Sequence, residues 1–549
     1  MGIAGNFRTD MLQPFTVADC VAANARSFPD RCAIEVLDPR TTGGVEPIET
    51  WTYGALWGRA EALADALGPV SAGPHGPMAG LLLPNGADHA AAYLACQLVG
   101  AAAVPVNSRL AEPEVRYVLE DSGAAVLLSA EPFIDIARRV TADLGIGLID
   151  AAETPVSAPM RWSRPIGPYA DGDRRTGRLV PSTTPTEVTT DERAAMIAYT
   201  SGTTGFPKGS INSNAGFLMR LMHWSWTFGL TAREVVSTPG PMFHLSYGGL
   251  TLAQLVAGGR ARVMTAFEPH AALTEYAHHS TWAFLVPSMT AAIAEAWRNA
   301  GRPPLGALRY LLSAGAPGPM SLLDEAFDIF PNAEITDGYG WTEAGWVTYD
   351  IKDRSALVPH CVGGPTPGSV VKVVDPETCE EVPDGVAGEV VAMSMVPFEG
   401  YLGRPEATAA AHTPDGFARS GDMGIMTADG RLAIVDRVKD MIISGGENVY
   451  CAEVERVLVE HRDIAEAAVV GLPDERWGER VVAAVVPHEG SQPEPAEVID
   501  FVRDRLAHYK CPRELMVVGD LPRNAMGKVL KPLLAQQFGP EAQASSSSA

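Results

Sequence analysis

The chain has 549 residues, too many for one hydrophobic core, and its content of 46% hydrophobic and 20% charged residues excludes a disordered or collagen-like protein. Its 42 basic and 66 acidic residues give a net charge of −24, which disfavours binding to nucleic acid or to an anionic membrane surface. Seven cysteines without a CxxC pair indicate neither a disulfide framework nor a thiolate zinc site. The N-terminus has no signal-peptide pattern, so we expect a cytoplasmic protein that holds anionic ligands with local donors.

Residues 16–130 alternate helical patterns with short apolar runs, such as residues 78–84 and 124–129. This alternation predicts βα units and a largely parallel sheet. The most apolar stretch, residues 90–106, is rich in alanine and ends near a proline, so we predict a buried helix running into a strand and no membrane span. Residues 151–190 are rich in proline, threonine and serine and are expected to form a long surface excursion.

Strand-like runs return after residue 193, and short β-branched or apolar stretches predict strands within residues 194–201, 235–240, 260–265, 281–288 and 308–315. Val- and Gly-rich runs over 362–400 predict a small β-barrel region, and residues after 440 form a pattern of helices and strands of domain size. The predicted fold class is therefore α/β, with a large N-terminal domain of flanked β-sheets plus that β-barrel region, and a smaller α+β C-terminal domain.

Residues 199–209 (YTSGTTGFPKG) place three glycines, four Ser or Thr hydroxyls and one lysine directly after an apolar strand. Glycines allow successive backbone N–H groups to face an anion, while hydroxyls and a lysine add donors and charge. The segment therefore predicts a polyphosphate cradle, although it is not the GxxxxGK[ST] loop of P-loop NTPases. Its candidate binding residues are Thr200, Ser201, Gly202, Thr203, Thr204 and Lys208.

This segment resembles the phosphate loop of the adenylate-forming superfamily of acyl-CoA synthetases, luciferases and peptide-synthetase adenylation domains. Four further segments resemble that family's motifs in the same order, within a resemblance that spans about residues 16–535. They are 338–343 (GYGWTE), 419–422 (RSGD), 430–450 (GRLAIVDRVKDMIISGGENVY) and 522–528 (PRNAMGK).

The resemblance implies a role for individual residues toward the nucleotide. Tyr339 would lie on adenine, Thr342 would bind the α-phosphate, and Glu343 would hold Mg²⁺ through hard oxygen ligands. Asp422 and Arg437 would bind the ribose hydroxyls. Backbone of the 313–317 turn, including Gly315 and Ala316, would line the adenine and the acyl carboxylate.

The resemblance also implies a domain motion. Lys528 would bridge the carboxylate and the α-phosphate during acyl-adenylate formation. Lys439 would be the hinge about which a mobile C-terminal domain rotates. The expected organisation is a large domain of residues 1–436, a hinge of 437–439 and a small catalytic-lysine domain of 440–549.

The resemblance says less about the acid substrate and the acyl acceptor than about the nucleotide. His244 would border the acyl pocket where amino-acid-activating domains usually carry an aspartate, which argues against an amino acid as substrate. Gly248 and Gly249 are expected to leave volume for the acid, with Gly340 and Trp341 also lining the pocket. Gly446 and Trp477 would border the CoA tunnel. One departure is Asn214, where the family usually has histidine, from which we expect only a local packing change.

These features predict an acid–CoA ligase that uses ATP and Mg²⁺ to convert a fatty, aryl or alicyclic acid to acyl-AMP and then transfers the acyl group to CoA. Its partners would be a small-molecule carboxylate and CoA, with a homodimer left open. An adenylate-former with a carrier-protein pantetheine or another acceptor remains an alternative. So does a non-catalytic adenylate-binding module, although the presence of Lys208, Glu343 and Lys528 argues against it.

Overall fold

The computed structural model describes residues 16–42, 46–155, 194–200, 207–316, 318–396, 398–437, 440–444, 447–474, 477–523 and 529–538. The chain divides into two compact units. The first comprises residues 1–357, 365–370 and 393–412, and the second comprises residues 358–364, 371–392 and 413–549. The predicted organisation into 1–436, 437–439 and 440–549 stays a prediction.

Most of the chemistry-bearing segments lie in the first unit. Its strands are β1 (Cys32–Leu37), β2 (Glu49–Thr52), β3 (Ala72–Gly73), β4 (Gly76–Leu82), β5 (Ala102–Pro105), β6 (Val126–Ser129), β7 (Gly147–Asp150), β8 (Ala194–Thr200), β9 (Lys208–Ser213), β10 (Val235–Thr238), β11 (Arg260–Met264), β12 (Trp282–Leu285), β13 (Tyr310–Ala314), β14 (Glu334–Trp341) and β15 (Gly345–Ile351). Its helices are α1 (Val17–Ser27), α2 (Pro39–Thr42), α3 (Tyr53–Leu67), α4 (Ala87–Val99), α5 (Glu112–Ser122), α6 (Ile134–Leu144), α7 (Asn214–Thr227), α8 (Leu245–Val256), α9 (Pro269–His278), α10 (Pro287–Asn299), α11 (Met320–Ile329) and α12 (Pro405–Ala410).

Two largely parallel sheets form the core of this unit. One has the strand order β7-β6-β4-β5-β8-β9, with β3 beside β4 and with β9 antiparallel to β8. The other has the order β15-β14-β13-β12-β10-β11-β1-β2, with antiparallel strands at its two ends. The predicted α/β class and the five strands predicted between residues 194 and 315 are confirmed as β8 and β10–β13.

Helix α4 explains why residues 90–106 are so apolar. It contacts β4 and β5 of the first sheet, β1 of the second sheet, and helices α1, α3 and α8, so it is buried on several sides. Alanine occupies half of its buried positions, which allows neighbouring helices to approach closely. It ends at Gly100 in the left-handed conformation and leads into β5, as the predicted helix-to-strand connection requires.

The described residues of the second unit form two smaller sheets and three α-helices. Most or all of the following elements belong to it: β16 (Cys361–Pro365), β17 (Ser369–Val374), β18 (Ala387–Ser394), β19 (Ala418–Met426), β20 (Leu432–Arg437), β21 (Ile442–Ser444), β22 (Glu447–Val449), β23 (Ile464–Asp474), β24 (Gly478–Pro487), β25 (Glu514–Val517), α13 (Cys451–Val459), α14 (Pro495–Arg503) and α15 (Lys531–Phe538). Strands β17-β18-β19-β20-β16 are neighbours in that order. Strands β22-β21-β24-β23, with β25 beside β24, carry α13 and α15 against β23 and α14 against β25.

A buried charge network links β1 to β11 in the first unit. The Arg262 guanidinium, 3% exposed, donates to Glu35 at 2.5 Å and to Glu275 at 2.7 Å, and the Ser280 hydroxyl also donates to Glu275. Glu275 is fully buried. The two carboxylates tolerate burial because Arg262 compensates both, and Arg260 lies 3.3 Å from Glu35 as a second cation.

We therefore expect Arg262→Met to lower the free energy of unfolding by about 3–5 kcal/mol, because it leaves the fully buried Glu275 without its cation and leaves Glu35 only its bond to Arg260. Thermal unfolding followed by calorimetry measures the change. Arg354→Met is the matched control, since Arg354 pairs with two exposed aspartates and should change stability by no more than about 1 kcal/mol. Equal losses in the two variants would contradict the assigned role of Arg262.

Candidate active site

The predicted phosphate segment begins and ends on a strand pair. Thr200, the last residue of β8, pairs with Lys208, the first residue of β9, and the Thr200 hydroxyl lies 3.4 Å from the Lys208 carbonyl oxygen. The next residue of β9, Gly209, must be small, because a Cβ there would lie 2.6 Å from the Ile197 side chain. Residues 201–206, with the candidates Ser201, Gly202, Thr203 and Thr204, lie outside the described part of the chain.

A distant segment of the first unit pairs with β9 and brings a tyrosine to Lys208. The N–H of Ile211 donates to the carbonyl of Gly400, and the N–H of Leu402 donates to the carbonyl of Gly209, at 3.0 and 2.8 Å. Between these two bonds lies Tyr401, whose ring centroid is 5.3 Å from the Lys208 Nζ. This distance suits a cation–π interaction, so the strand that begins with Lys208 also fixes the lysine's aromatic neighbour.

Tyr401 connects Lys208 to Glu343. Its hydroxyl donates to the Glu343 Oε1 at 2.6 Å. Burial and the negative charge of Glu343 raise the pKa of Tyr401 above its ordinary range, so the hydroxyl keeps its proton and remains a donor. Glu343 is half-buried beside Thr342, just after β14 ends. One held carboxylate beside a phosphate segment fits Mg²⁺, which commonly binds one or two protein carboxylates together with substrate phosphates.

The β14–β15 hairpin arranges the remaining motif residues. Tyr339 pairs with Thr348 and its ring centroid lies 5.8 Å from that of Trp341, so both aromatic rings lie on the same face of the hairpin. Gly340 is required for close strand pairing, since a side chain there would collide with the Gly345 carbonyl. Gly315 and Ala316 follow β13 directly, and Gly315 adopts a positive φ of 91°, which favours glycine.

Helix α8 carries the predicted acyl residues, and one expectation about them is wrong. His244 caps the helix, with its Nδ1 2.5 Å from the Ser246 hydroxyl. Gly248 and Gly249 do not leave open volume in the direction of a Cβ. A Cβ on Gly248 would collide with the Met242 carbonyl, and one on Gly249 would lie 2.6 Å from the Trp224 ring. These glycines allow close packing, and the acyl-pocket assignment of His244, Gly248, Gly249, Gly340 and Trp341 stays a prediction.

Asn214, the departure from the family pattern, is the first residue of α7. The preceding Ser213 side chain accepts from the Gly216 N–H and begins the helix. The Asn214 side-chain oxygen accepts from Gln97 at 3.1 Å, and Gln97 in turn accepts from the Ala18 N–H. The asparagine is therefore part of the packing between α7, α4 and α1.

In the second unit, strands β19 and β20 place two predicted ribose ligands opposite each other. Asp422 is buried and pairs in register with Arg437, and its N–H donates to the Ser420 hydroxyl at 3.0 Å. Trp477 is half-buried, with the Arg513 guanidinium 4.8 Å from its ring centroid. Lys439, Gly446 and Lys528 lie outside the described residues, as does the side chain of Arg437.

Two residues of this region were not predicted from the sequence. Tyr401 lies 58 positions from the Glu343 carboxylate that it binds, and no local pattern marks it. Arg220 on α7 is 2% exposed and is attracted by Glu343 and Glu399. Burial lowers its pKa to about 10, which still leaves the guanidinium charged at neutral pH.

Comparison with known proteins agrees with this geometry. A family model described as AMP-binding enzyme matches residues 21–402, and a model described as AMP-binding enzyme C-terminal domain matches residues 453–528. The chain is 34% identical to a feruloyl-CoA synthase of Amycolatopsis sp, with 89% of this chain and 94% of that protein covered. It is 31% identical to the long-chain-fatty-acid–CoA ligase FadD13 of Mycobacterium tuberculosis, with 91% and 96% covered.

Among solved structures, o-succinylbenzoate CoA synthetase (MenE) from Bacillus subtilis, in complex with its acyl-adenylate intermediate, superimposes with a TM-score of 0.79. The identity is 27%, and 95% of this chain and 98% of that chain are covered. The chain therefore belongs to the AMP-binding enzyme family. It is an ATP-dependent, AMP-forming acid–thiol ligase, and ATP, Mg²⁺ and CoA are its cofactors. Within the described residues, the structure contains no helix with the length and apolarity of a membrane span.

Removing the Tyr401 hydroxyl should weaken the metal site while sparing the fold. In Tyr401→Phe the ring remains beside Lys208, but the charged Glu343 carboxylate loses the hydrogen bond from the tyrosine hydroxyl. The Mg²⁺ concentration needed for half-maximal ATP binding should therefore rise about tenfold. Calorimetric titration of ATP at a series of Mg²⁺ concentrations measures this. Tyr276→Phe is the control, since Tyr276 is a fully buried tyrosine whose hydroxyl bonds to Ser237 and not to Glu343. An unchanged Mg²⁺ requirement would separate Tyr401 from the metal site.

His244 should stabilise the fold only above mildly acidic pH. Desolvation lowers its pKa to about 4, below the ordinary 6.5, so the unfolded chain binds an extra proton between these values and stability falls as the pH drops from 6.5 to 4. In His244→Gln this dependence should disappear. The difference in unfolding free energy between the two proteins should then change by up to about 1.4 kcal/mol per pH unit in that window.

Unfolding in denaturant at pH 4.5, 5.5, 6.5 and 7.5 measures that difference. His270→Gln, which alters an exposed histidine that caps no buried helix end, is the control. Parallel stability curves for His244→Gln and wild type across the window would contradict the lowered pKa.

Proposed function

We propose that the enzyme activates a carboxylic acid as acyl-AMP and then transfers the acyl group to CoA. The observation that carries the proposal is the Lys208–Tyr401–Glu343 alignment. It places a cation for phosphate and a held carboxylate for Mg²⁺ on either side of one tyrosine, next to the Tyr339–Thr342 hairpin. A non-catalytic adenylate-binding module has no need of a carboxylate held in this way.

In the first half-reaction, a carboxylate oxygen of the acid attacks the α-phosphorus of ATP, the bond to the bridging oxygen of the β-phosphate breaks, and pyrophosphate leaves. Lys208 and the Thr200–Thr204 segment hold the phosphates, and Thr342 donates to the α-phosphate. Tyr339 supports the adenine, while Asp422 and Arg437 bind the ribose. Lys528 donates to the oxygens that gain charge in the transition state. Mg²⁺ held by Glu343 would neutralise part of the negative charge of the phosphates.

In the second half-reaction, the CoA thiol loses its proton and the sulfur attacks the acyl carbonyl, so the carbon–oxygen bond to AMP breaks and AMP leaves with that bonding pair. One site must present different groups to the two reactions. We infer that the part of the chain after Lys439 reorients between them, withdrawing Lys528 and bringing Gly446 and Trp477 to the pantetheine and the nucleotide of CoA. A carrier-protein pantetheine is the alternative acceptor.

The side chains around α7, α8 and β15 favour an acid with a bulky ring. Trp346 contacts Trp224, Phe228 and Phe284, with ring centroids 5.8–6.3 Å apart, and Phe284 contacts Tyr247. All five rings are buried in the core, so only the ring faces that border the predicted acyl pocket would meet the acid, and such flat apolar faces suit an aryl or alicyclic body. Long linear acids need instead a narrow, extended channel. The aryl or alicyclic acid is therefore the substrate class that we propose, with the fatty acid as the second candidate.

A panel of carboxylates tests the proposal. Pyrophosphate release measured with aryl, alicyclic and straight-chain acids identifies the acid class, and mass spectrometry of the products with free CoA identifies the acceptor. Thioester formation from free CoA supports the ligase. Acyl-AMP that accumulates with CoA present indicates a different acceptor. If the protein binds ATP but releases no pyrophosphate with any acid in the panel, the proposed reaction is wrong.

The two half-reactions should respond differently to loss of Lys528. Lys528→Ala should slow adenylate formation by about 10²–10³-fold, because the lysine acts on the charge of phosphoryl transfer. Thioester formation from supplied acyl-AMP should stay near the wild-type rate. Single-turnover assays of each half-reaction measure the two effects, and Lys531→Ala provides a control lysine, on α15 and paired with Glu455. Equal damage to both steps would exclude this role of Lys528.

A further inference from the structure

Buried polar side-chain atoms without a hydrogen-bond partner are concentrated at one place in the described part of the chain. Seven of twelve such atoms belong to α7 and to the β14–β15 hairpin. They are Arg220 Nε, His223 Nδ1, Trp224 Nε1, Thr227 Oγ1, Trp341 Nε1, Trp346 Nε1 and Thr348 Oγ1. Proteins pair nearly all buried polar groups, so a cluster of unpaired ones indicates a place where water or a ligand supplies the partner.

The position of α7 connects this cluster to the predicted acyl residues. Arg220 and Trp224 are four residues apart and share one face of the helix. The Trp224 ring lies against Gly249 on α8. The Arg220 Nη1 lies 3.4 Å from the point where a Cβ on Gly345 would stand, and Gly345 pairs with Trp341. One face of α7 is therefore shared between the acyl helix and the hairpin of the predicted acyl pocket.

The unpaired groups are mainly donors. A guanidinium and an indole N–H can only donate hydrogen bonds, and these groups account for four of the seven atoms. Arg220 donates no hydrogen bond to any residue that the structure describes, and it forms no ion pair with one, although the charges of Glu343 and Glu399 attract it. A buried guanidinium whose Nε–H has no partner is costly unless an acceptor reaches it.

From this arrangement, and resting on the proposed function, we propose that Arg220 and the neighbouring indole N–H groups form a subsite for a second oxygen of the substrate. The acid that this enzyme activates then carries, besides the carboxylate that reacts with ATP, an acceptor oxygen on its body. A second carboxylate, a phenol and a ketone share this chemistry, and a planar guanidinium binds such oxygens through two parallel N–H groups.

The competing role for Arg220 is a counter-charge that positions Glu343. That role makes a different prediction, because a disturbed Glu343 would change the requirement for Mg²⁺ and ATP by the same factor for every acid. A specificity role changes the KM of acids that carry the second oxygen and leaves their unsubstituted analogues and the KM for ATP near their wild-type values.

Matched pairs of acids separate the two roles. The pairs are 3-(4-hydroxyphenyl)propanoate with 3-phenylpropanoate, 3-(4-oxocyclohexyl)propanoate with 3-cyclohexylpropanoate, and heptanedioate with heptanoate. Each acid is measured by pyrophosphate release and also by equilibrium binding, followed through quenching of tryptophan fluorescence. The proteins are wild type, Arg220→Met, Arg220→Lys and the exposed control Arg354→Met, each checked for folding by thermal unfolding.

We expect wild type to prefer the oxygen-bearing member of at least one pair by about tenfold or more in kcat/KM, and the preferred pair identifies the oxygen type. Arg220→Met should abolish the preference through KM, and Arg220→Lys should restore part of it, since the charge returns without the planar pair of donors. Arg354→Met should behave as wild type.

Three outcomes would overturn the proposal. The first is a wild type without preference in any pair. The second is a preference that survives in a folded Arg220→Met variant, and the third is an equal rise in the Mg²⁺ or ATP requirement for both members of each pair. If no acid releases pyrophosphate, the proposed function fails, and the fluorescence titrations still decide whether Arg220 binds the second oxygen.

Discussion

The hydrogen bond from the Tyr401 hydroxyl to the Glu343 carboxylate is the interaction on which the site of the first unit depends. It is short, it involves an ion, and its donor is held in place by two backbone bonds that join residues 400–402 to β9. The same tyrosine ring lies beside Lys208. One side chain therefore contacts both Lys208, the proposed phosphate cation, and Glu343, the proposed metal carboxylate.

The net charge of −24 makes such local arrangements necessary. A protein with this surface repels ATP, CoA and a carboxylate at long range, so binding must come from short-range donors in partly dehydrated surroundings. Lys208 beside an aromatic ring and Arg220 within the core are cations of this kind. Burial strengthens each of their interactions, because less water competes for the charge.

The sequence predicted the parts of the molecule that are determined locally. Strands β8, β10, β11, β12 and β13 and helix α4 follow from apolar runs with clear turn signals. The candidates Thr200 and Lys208 follow from the composition of their segment, whereas Tyr339 and Glu343 follow from the family resemblance. Contacts between distant segments could not be predicted in this way. Nothing near Tyr401 in the chain marks its bond to Glu343, and a single arginine in an amphipathic helix usually faces water. Gly248 and Gly249 were misread because a missing side chain indicates either open space or close packing, and only the positions of Met242 and Trp224 decide between them.

The pairing of residues 400–402 with β9 has a thermodynamic consequence. Strand β9 begins with Lys208 and carries, through its backbone, the tyrosine that holds Glu343. In the proposed site, a nucleotide that orders β9 would also order Glu343 through Tyr401. The binding of nucleotide and the binding of the metal ion would then share part of the entropy lost on ordering. Linkage is reciprocal: whatever factor the divalent cation adds to the affinity for nucleotide, the nucleotide adds to the affinity for the cation. If Glu343 and Lys208 have the roles proposed for them, the affinities for the two ligands are linked, and neither has a single value independent of the other ligand.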